Sequence, residues 1–247
     1  AGAAKAYGRA VAIHPANDKV RNEYAYMLIA TRQAERGIEE SKKVLAHQPS
    51  NITALMNMGY AYLQTGDSDL AEKTYRQLLA ADPKSAAAHY DLGLALKMKD
   101  ALAGAQAELK TAIRLDPSFA QAHYSLGIID WQNGNFAETV RQMRAALAID
   151  ANYAEAHYML GIVLKQTGDL DHALAELKEA IRLDPATPGP YNTIGEILSI
   201  KGDKQGSEEA FAAGARLKHQ ADAQLANTLD RGMRGGEVLK PVVAAPR

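Results

Sequence analysis

The stretch His157-Tyr158-Met159-Leu160-Gly161 is one copy of a motif that recurs along the chain at a fixed interval. Its counterpart His123-Tyr124-Ser125-Leu126-Gly127 lies 34 residues earlier, and His89-Tyr90-Asp91-Leu92-Gly93 lies 34 residues before that. The same interval leads to Gly59 on one side and to Gly195 on the other. A period of this length indicates a chain built from structural repeats, each too small to bury its own apolar face.

The period also sets the domain organisation. It gives six units of 34 residues, at 18–51, 52–85, 86–119, 120–153, 154–187 and 188–221. Residues 1–17 resemble the second helix of a truncated unit, so we expect either a trimmed chain or further repeats before it, and no signal peptide within it. After the repeats, apolar residues spaced four apart predict a capping helix at 222–234, and the glycine- and proline-containing end predicts a flexible tail or linker at 235–247.

Within each unit the apolar pattern predicts two α-helices joined by a tight turn. Four units have glycine in the turn, as in Thr65-Gly66-Asp67, which is typical of a left-handed helix end. Asp100 replaces this glycine in one unit, and aspartate tolerates the conformation better than most residues do. We expect the Asp or Asn after the glycine to cap the second helix, and proline to end that helix in most units.

The glycine of each Leu-Gly pair lies in the middle of a helix, where it costs about 1 kcal/mol relative to alanine. Its recurrence therefore predicts a close approach of the second helix. Small residues on that helix, Ala71, Ala105 and Ala173, are expected to form the other side of the contact. Thr139 and Ser207 occupy this position in two units, where we expect looser packing.

Helix pairs of this length resemble the tetratricopeptide repeat, since they combine Leu-Gly, a Gly-Asp turn, a small residue in the second helix and a closing Asp-Pro. The resemblance covers residues 1–221. It implies an all-α, right-handed superhelical solenoid of antiparallel helix pairs. It also implies a non-enzymatic interaction scaffold, whose first helices line a concave groove that holds a peptide or partner segment. The family serves many partners, so the resemblance identifies none.

Composition argues against several other functions. The net charge is −1 and no basic run occurs, so nothing predicts a nucleic-acid site. No apolar stretch approaches the ~20 residues of a membrane span. Cysteine is absent, as are phosphate-binding and hydrolase motifs, so we predict no catalytic residue and no cofactor. The compartment stays open between the cytoplasm and an exported or periplasmic location.

The column of His89, His123 and His157 does not predict a metal site. Helix axes pack about 8–10 Å apart, and equivalent positions are a whole helix pair apart. A Zn–N bond is only about 2.0–2.1 Å long, so histidines of successive units cannot share an ion. We expect these rings to pack between helices with one ring nitrogen bonded.

A second apolar stripe on the first helices predicts the partner-binding surface. A stripe that only faced water would be polar, whereas this one carries tyrosines, aliphatic residues and the single tryptophan. It becomes polar in the unit 188–221. The predicted contact residues are Tyr26, Met56, Asn57, Tyr60, Leu63, Tyr90, Leu94, Lys97, Tyr124, Ile128, Trp131, Tyr158, Ile162 and Lys165.

The polar residues beside this stripe bear on the type of partner. Asn57 stands at a position where members of the family that this chain resembles often use asparagine to bond a peptide backbone. The Lys/Asn/Arg pattern with which some of them hold a C-terminal carboxylate is missing, because Asp91 and Glu155 flank the available lysines. An apolar or amphipathic peptide of mixed charge fits the stripe better.

Two further points stay open at the level of sequence. Asp130 lies where the family prefers a bulky packing group, so it is either hydrogen-bonded within the fold or involved in holding a ligand or loosening the next junction. Two functions compete with groove binding. One is self-assembly into a homo-oligomer through open repeat ends, and the other is a substrate-recruiting arm of a larger enzyme or secretion complex.

Overall fold

The computed structural model describes the backbone of residues 2–235 and the side chains of residues 2–226. Over these residues the regular structure consists of α-helices, thirteen in number, without a strand. The all-α class and the division into helix pairs are therefore confirmed. The chain forms two compact units, residues 1–151 and residues 152–247.

Unit 1 contains one single helix followed by four helix pairs. The partners within a pair pack against each other, and each pair packs against the next through the second helix of one and the first helix of the other. The helices are α1 (Gly2–Ile13), α2 (Asp18–Ala30), α3 (Ala34–Leu45), α4 (Ile52–Thr65), α5 (Ser68–Ala81), α6 (Ala86–Met98), α7 (Leu102–Leu115), α8 (Ala120–Gln132) and α9 (Phe136–Ile149).

Unit 2 contains two helix pairs, formed by α10 (Ala154–Gln166), α11 (Leu170–Leu183), α12 (Pro188–Ile200) and α13 (Lys204–Gly235). Helix α13 is one continuous helix, so residues 222–234 extend it and do not form a separate capping helix. His219 stands where proline ends most of the other second helices. Histidine, unlike proline, keeps the backbone N–H that a continuing helix needs. The predicted tail lies outside the described residues from position 236 onward.

The turns within the pairs have the left-handed backbone that the glycine pattern predicts. Gly66, Gly134, Gly168 and Gly202 have φ between +75° and +86°. Asp100 adopts φ +57°, as expected for its place in the series. Arg32 adopts φ +60° in the unit 18–51, which the sequence pattern did not indicate. The turn geometry is thus kept even where glycine is lost.

The side-chain caps that we expected at the start of the second helices are mostly absent among the described residues. Asp67, Asn135 and Asp169 precede second helices, but their side chains make no capping hydrogen bond. Asp67 instead accepts a bond from the Thr65 hydroxyl at 2.7 Å. Of the residues that follow a turn glycine, Asp203 does cap, accepting a bond from the Gly206 amide at 2.9 Å. Short bonds within the turn compete with the cap for the same carboxylate.

Side-chain caps occur instead at the start of three first helices in unit 1. The side chains of Asn17, Asn51 and Ser85 accept bonds from the amides of Val20, Ala54 and Ala88. Such caps satisfy backbone donors that have no partner inside the helix. They fix the point at which each first helix begins.

The mid-helix glycines make room for a large side chain of the partner helix. A Cβ atom at Gly93 would lie 2.9 Å from Cγ of Leu109 and 3.4 Å from the carbonyl oxygen of Ala105. The small residue thus contributes its backbone, while the large residue fills the gap. The pairs that show this relationship are Gly59 with Tyr75, Gly93 with Leu109, Gly127 with Met143, Gly161 with Leu177 and Gly195 with Phe211.

Thr139 and Ser207, which interrupt the column of small residues, are both buried. The Ser207 hydroxyl donates a hydrogen bond to the carbonyl oxygen of Gly195 at 2.8 Å, which links α13 to α12. The Thr139 hydroxyl bonds to the Asn135 carbonyl of its own helix. These hydroxyls are accommodated by hydrogen bonds to the backbone.

In the unit 18–51 the small residues have exchanged places. Ala25 occupies the glycine position of the first helix, and Gly37 occupies the small-residue position of the second. A Cβ atom at Gly37 would lie 3.0 Å from the Ala25 carbonyl oxygen and would also contact Ile29. The two helices therefore approach closely in this unit too, although it lacks the Leu-Gly pair.

The first helices of successive pairs also contact each other directly. In unit 1, α4 packs against both α2 and α6, and in unit 2, α10 packs against α12. We call this side of unit 1 the first-helix wall. None of the helices over the described residues has the length and apolar content needed to cross a lipid bilayer.

Candidate functional site

The predicted contact residues of unit 1 form a partly exposed apolar strip along the first-helix wall. Tyr26 and Tyr60 are the most open, with 46% and 41% of their surface exposed. Asn57 is buried, and the other residues are half-buried: Met56, Leu63, Tyr90, Leu94, Lys97, Tyr124, Ile128 and Trp131. Among the predicted contact residues of unit 1, the exposed surface is therefore largest at Tyr26 of α2 and Tyr60 of α4.

Asn57 is engaged within the protein. Its Nδ2 donates a hydrogen bond to the backbone carbonyl of Asn22 at 2.9 Å, and the residue is only 6% exposed. Asn22 is itself buried on α2, and its Nδ2 bonds Oδ1 of Asn51 at 3.1 Å. The Asn57 amide thus links neighbouring first helices, and we leave this residue out of the proposed contact surface.

Tyr90 is held in the wall by an aromatic neighbour. Its ring lies 4.8 Å from that of Phe119, centroid to centroid, with the planes tilted by 42°. Burial raises the pKa of the Tyr90 hydroxyl, an effect that Ser125 opposes and Asp91 reinforces. Phe119 is the last residue of the unit 86–119, directly before α8, and was not a predicted contact residue. The contact with Phe119 therefore orients the Tyr90 ring.

Asp91 places a carboxyl group among aromatic side chains, which sequence reasoning missed. Burial raises its pKa to about 6, while the neighbouring Tyr75 hydroxyl partly opposes the shift. That hydroxyl is buried and makes no hydrogen bond of regular geometry. Asp91 is the one acidic residue of α6, and its place between Tyr90 and Leu92 in an apolar helix was the available signal.

In unit 2 the three predicted contact residues, Tyr158, Ile162 and Lys165, are half-buried. Tyr158 is partly covered by the start of α12. A Cβ atom at Gly189 would lie 2.5 Å from the Tyr158 hydroxyl oxygen, so only glycine fits beside it. A small hollow of about 30 Å³ remains next to the tyrosine, bordered by Glu155 and Pro190 among others.

The two lysines of the stripe differ in their surroundings. Lys165 forms an ion pair with Glu196 of α12, the first helix of the next pair. Lys97 has no ion pair or hydrogen bond of its ammonium group with any described residue. Burial lowers the Lys97 pKa, because the charged form is partly withdrawn from water.

The histidine column is structural. Nδ1 of His89 and His157 lies 2.6 Å from a carboxylate oxygen of Glu108 and Glu176, respectively, each on the second helix of the same pair. His123 makes the equivalent contact with the neutral Gln142, at 2.8 Å. Over the described residues, no group of three or more His, Asp or Glu side chains is placed to hold a metal ion.

Asp130 is hydrogen-bonded within the fold. It is buried, and its Oδ1 accepts a bond from Nε2 of Gln106 on α7 at 2.9 Å. Burial is the main cause of its raised pKa, with Lys110 and Arg141 acting against the shift. Of the two expectations for Asp130, the geometry supports internal bonding, and Asp130 is not part of the open strip.

Comparison with protein families identifies a single type of repeat over most of the chain. A family model described as tetratricopeptide repeat matches residues 28–92 and 130–193. A second model with the same description matches residues 102–138. Among curated proteins, none matches the chain significantly.

Solved structures with similar folds include three proteins of this architecture. MamA is 25% identical, with 67% of this chain and 97% of that chain covered, at a TM-score of 0.62. PilW, described as a type IV pilus biogenesis factor, is 19% identical over 78% of this chain and 90% of its own, at 0.70. YrrB, described as having an unusual peptide-binding site, is 23% identical over 76% and 97%, at 0.58. At these identities, PilW and YrrB show a shared fold.

Proposed function

The chain belongs to the tetratricopeptide repeat family, a family of protein-interaction scaffolds, and we propose that it binds a peptide or partner segment along the first-helix wall. The observation that carries the proposal is the exposure of Tyr26 and Tyr60 within an otherwise apolar strip. Contiguous exposed apolar surface marks interaction sites, and aromatic side chains dominate the energy of many interfaces.

The composition of the strip favours an apolar or amphipathic partner. Tyr26, Tyr60 and Trp131 offer ring faces for apolar side chains, while their polar atoms orient a ligand. Lys97 adds one positive charge to this strip. The strip therefore fits a segment of mixed composition better than a highly charged one.

Capture of partners with paired variants tests the proposal. Wild-type protein and a Tyr26→Ala/Tyr60→Ala variant are used as baits in parallel, and each recovered partner is titrated while the fluorescence of Trp131 is followed. We expect the double variant to lose most of its affinity, by about tenfold or more, as is typical of aromatic contact residues. Leu70→Ala is the matched control, because Leu70 is similarly exposed but lies on a second helix.

The proposal fails if verified partners bind the double variant as well as they bind wild-type protein. It also fails if the Leu70 control loses as much affinity as the tyrosine variant, because the contact surface would then lie elsewhere.

Self-assembly is the alternative from the structural class. Ile13 and Ile200 are large apolar residues at helix ends and are highly exposed, so they are the side chains through which copies would meet. Light scattering over a range of protein concentrations separates the two functions, since a strict monomer rules out assembly. Under either function we assign no catalytic residue, and a role as the recruiting arm of a larger machine would use the same strip.

A further inference from the structure

Lys97 is a cation placed in an apolar part of the strip. It lies on α6, one helical turn after Leu94, and it is half-buried. The nearest acidic residue along the helix end is Asp100, which is exposed and whose backbone amide bonds the Lys97 carbonyl at 3.0 Å. No described carboxylate reaches the ammonium group. Lys97 therefore carries the cost of partial desolvation without a compensating partner.

Three other lysines at or near the ends of first helices have partners. In unit 2, Lys165 pairs with Glu196, which lies 31 residues later on the next first helix. At the ends of first helices, Lys99 pairs with Asp69 at 2.5 Å, and Lys201 pairs with Asp171 at the repeat-equivalent position. Each of these three lysines thus pairs with an acid of a neighbouring helix pair.

The repeat register explains why Lys97 differs from Lys165. The residue 31 positions after Lys97 is Ile128, where unit 2 has Glu196. Two buried or half-buried acids in this part of unit 1 already have polar neighbours. Asp91 lies beside the Tyr75 hydroxyl, and Asp130 accepts a hydrogen bond from Gln106. An aliphatic residue thus stands where a partner carboxylate is found for Lys165.

We propose that Lys97 is the specificity-determining residue of the first-helix wall, and that it pairs with an Asp or Glu side chain of the bound segment. This inference rests on the proposed function and names the chemistry of its partner. Leu94 lies one turn before the cation on α6, and Ile128 stands at the repeat position that Glu196 has in unit 2, so we expect apolar residues of the ligand to flank the acid. A carboxylate brought there by a ligand restores the charge balance that Glu196 provides in unit 2. Charge-assisted hydrogen bonds are shorter and stronger than neutral ones.

The test starts from a random peptide library displayed on phage and selected on the full chain. Selection on the Tyr26→Ala/Tyr60→Ala variant in parallel identifies the peptides that depend on the wall. From each wall-dependent peptide, a synthetic copy is compared with copies in which one Glu or Asp is replaced by Gln or Asn. Affinities are measured by calorimetry for wild type, Lys97→Met, Lys97→Arg and Lys165→Met.

We expect an acidic residue flanked by apolar residues in the wall-dependent peptides. Lys97→Met should weaken their binding by about tenfold or more, the low end for close charge pairs at interfaces. The same substitution should have little effect on the neutral peptide copies, and Lys97→Arg should retain most of the affinity. Lys165→Met should have a much smaller effect, because that cation already has Glu196 as its partner. Ile128→Glu should mimic Lys97→Met, since it supplies an internal partner.

The possible failures are distinguishable. Wall-dependent peptides that bind Lys97→Met with unchanged affinity, or that lack an essential acid, overturn this inference and leave the proposed function standing. Recovery of no wall-dependent peptide overturns both. Circular dichroism of each variant establishes that a loss of binding does not come from unfolding, and the Lys97→Arg result confirms that the charge is the relevant property.

Discussion

The backbone of Gly59 lies against the ring of Tyr75, so that a Cβ atom at Gly59 would come within 2.6 Å of the ring carbon Cζ. Tyr75 is fully buried, and its hydroxyl makes no hydrogen bond of regular geometry. The ring cannot move outward without disturbing the contact between α4 and α5. This glycine is therefore required by packing and not by backbone conformation.

Gly59→Ala should lower the free energy of unfolding by about 1–3 kcal/mol, the usual cost of overpacking a core. The better helix propensity of alanine, about 1 kcal/mol, offsets only part of this cost. Urea denaturation measures the difference. Gly104→Ala is the control, because a Cβ atom at this helical glycine would meet only the tips of the flexible Leu96 side chain, at 3.3 Å. Equal losses for the two variants would contradict the packing explanation.

Asp91 should make the stability of the protein depend on pH between about 4 and 6. Its pKa is raised from 3.8 to about 6 by burial, so the folded protein binds this proton more tightly than the unfolded chain does. The residue therefore contributes no penalty below about pH 4. The penalty of the charged form grows as the pH rises from about 4 to about 6, and it levels off above that at no more than about 3 kcal/mol.

Asp91→Asn should therefore raise the free energy of unfolding at pH 7 and leave it nearly unchanged at pH 4. Urea denaturation at several pH values gives the difference from wild type. Asp100→Asn is the control, since Asp100 is exposed in the same helix pair and asparagine also tolerates its left-handed backbone. A difference between Asp91→Asn and wild type that does not vary with pH would contradict the assignment.

The two turns without glycine should be improvable. Arg32 and Asp100 have φ of +60° and +57°, in the region that is strained for most side chains. Arg32→Gly should raise the free energy of unfolding by about 1 kcal/mol, and Asp100→Gly by less, because aspartate tolerates this region. Thermal unfolding provides the measurement. The reverse change Gly134→Ala should lower the midpoint, and a gain there would refute the argument.

Asn57 should affect stability more than binding. Its amide donates to the Asn22 carbonyl in a buried setting, and loss of this bond removes a link between α2 and α4. Asn57→Ala should cost about 1–3 kcal/mol of folding free energy. The affinity for wall-dependent peptides, measured well below the unfolding midpoint, should remain within the range of wild type. A selective loss of affinity without loss of stability would return Asn57 to the contact surface.

The sequence alone was sufficient for the helix pairs, because the interval between Gly59, Gly93 and Gly127 is regular and each glycine needs a structural reason. It was not sufficient for the identity of the facing side chain. The small residue was expected to meet the glycine, whereas Leu109 and its equivalents do so, because the space left by a missing Cβ suits a large side chain.

The candidate site was less predictable for a physical reason. The period tells which face of a helix a residue occupies, but exposure depends on the size of neighbouring side chains. Tyr60 and Tyr90 belong to the same predicted stripe, yet Tyr60 is exposed and Tyr90 packs against Phe119. The internal bonds of Asn57 and Asp130 likewise depend on partners from other helices, which no local pattern specifies.

The exchange between Ala25 and Gly37 has a consequence for how these repeats diverge. Evolution must preserve the distance between the two helices, and the glycine that allows this distance can stand on either helix. A lineage that moves the glycine from one helix to the other must pass through an ancestor with two alanines or one with two glycines. In the ancestor with two alanines, a methyl group would collide with a large side chain such as Leu109 or Ile29. The ancestor with two glycines would only be less stable. The tolerated route of mutation therefore runs through a temporarily loosened repeat, which neighbouring repeats can support.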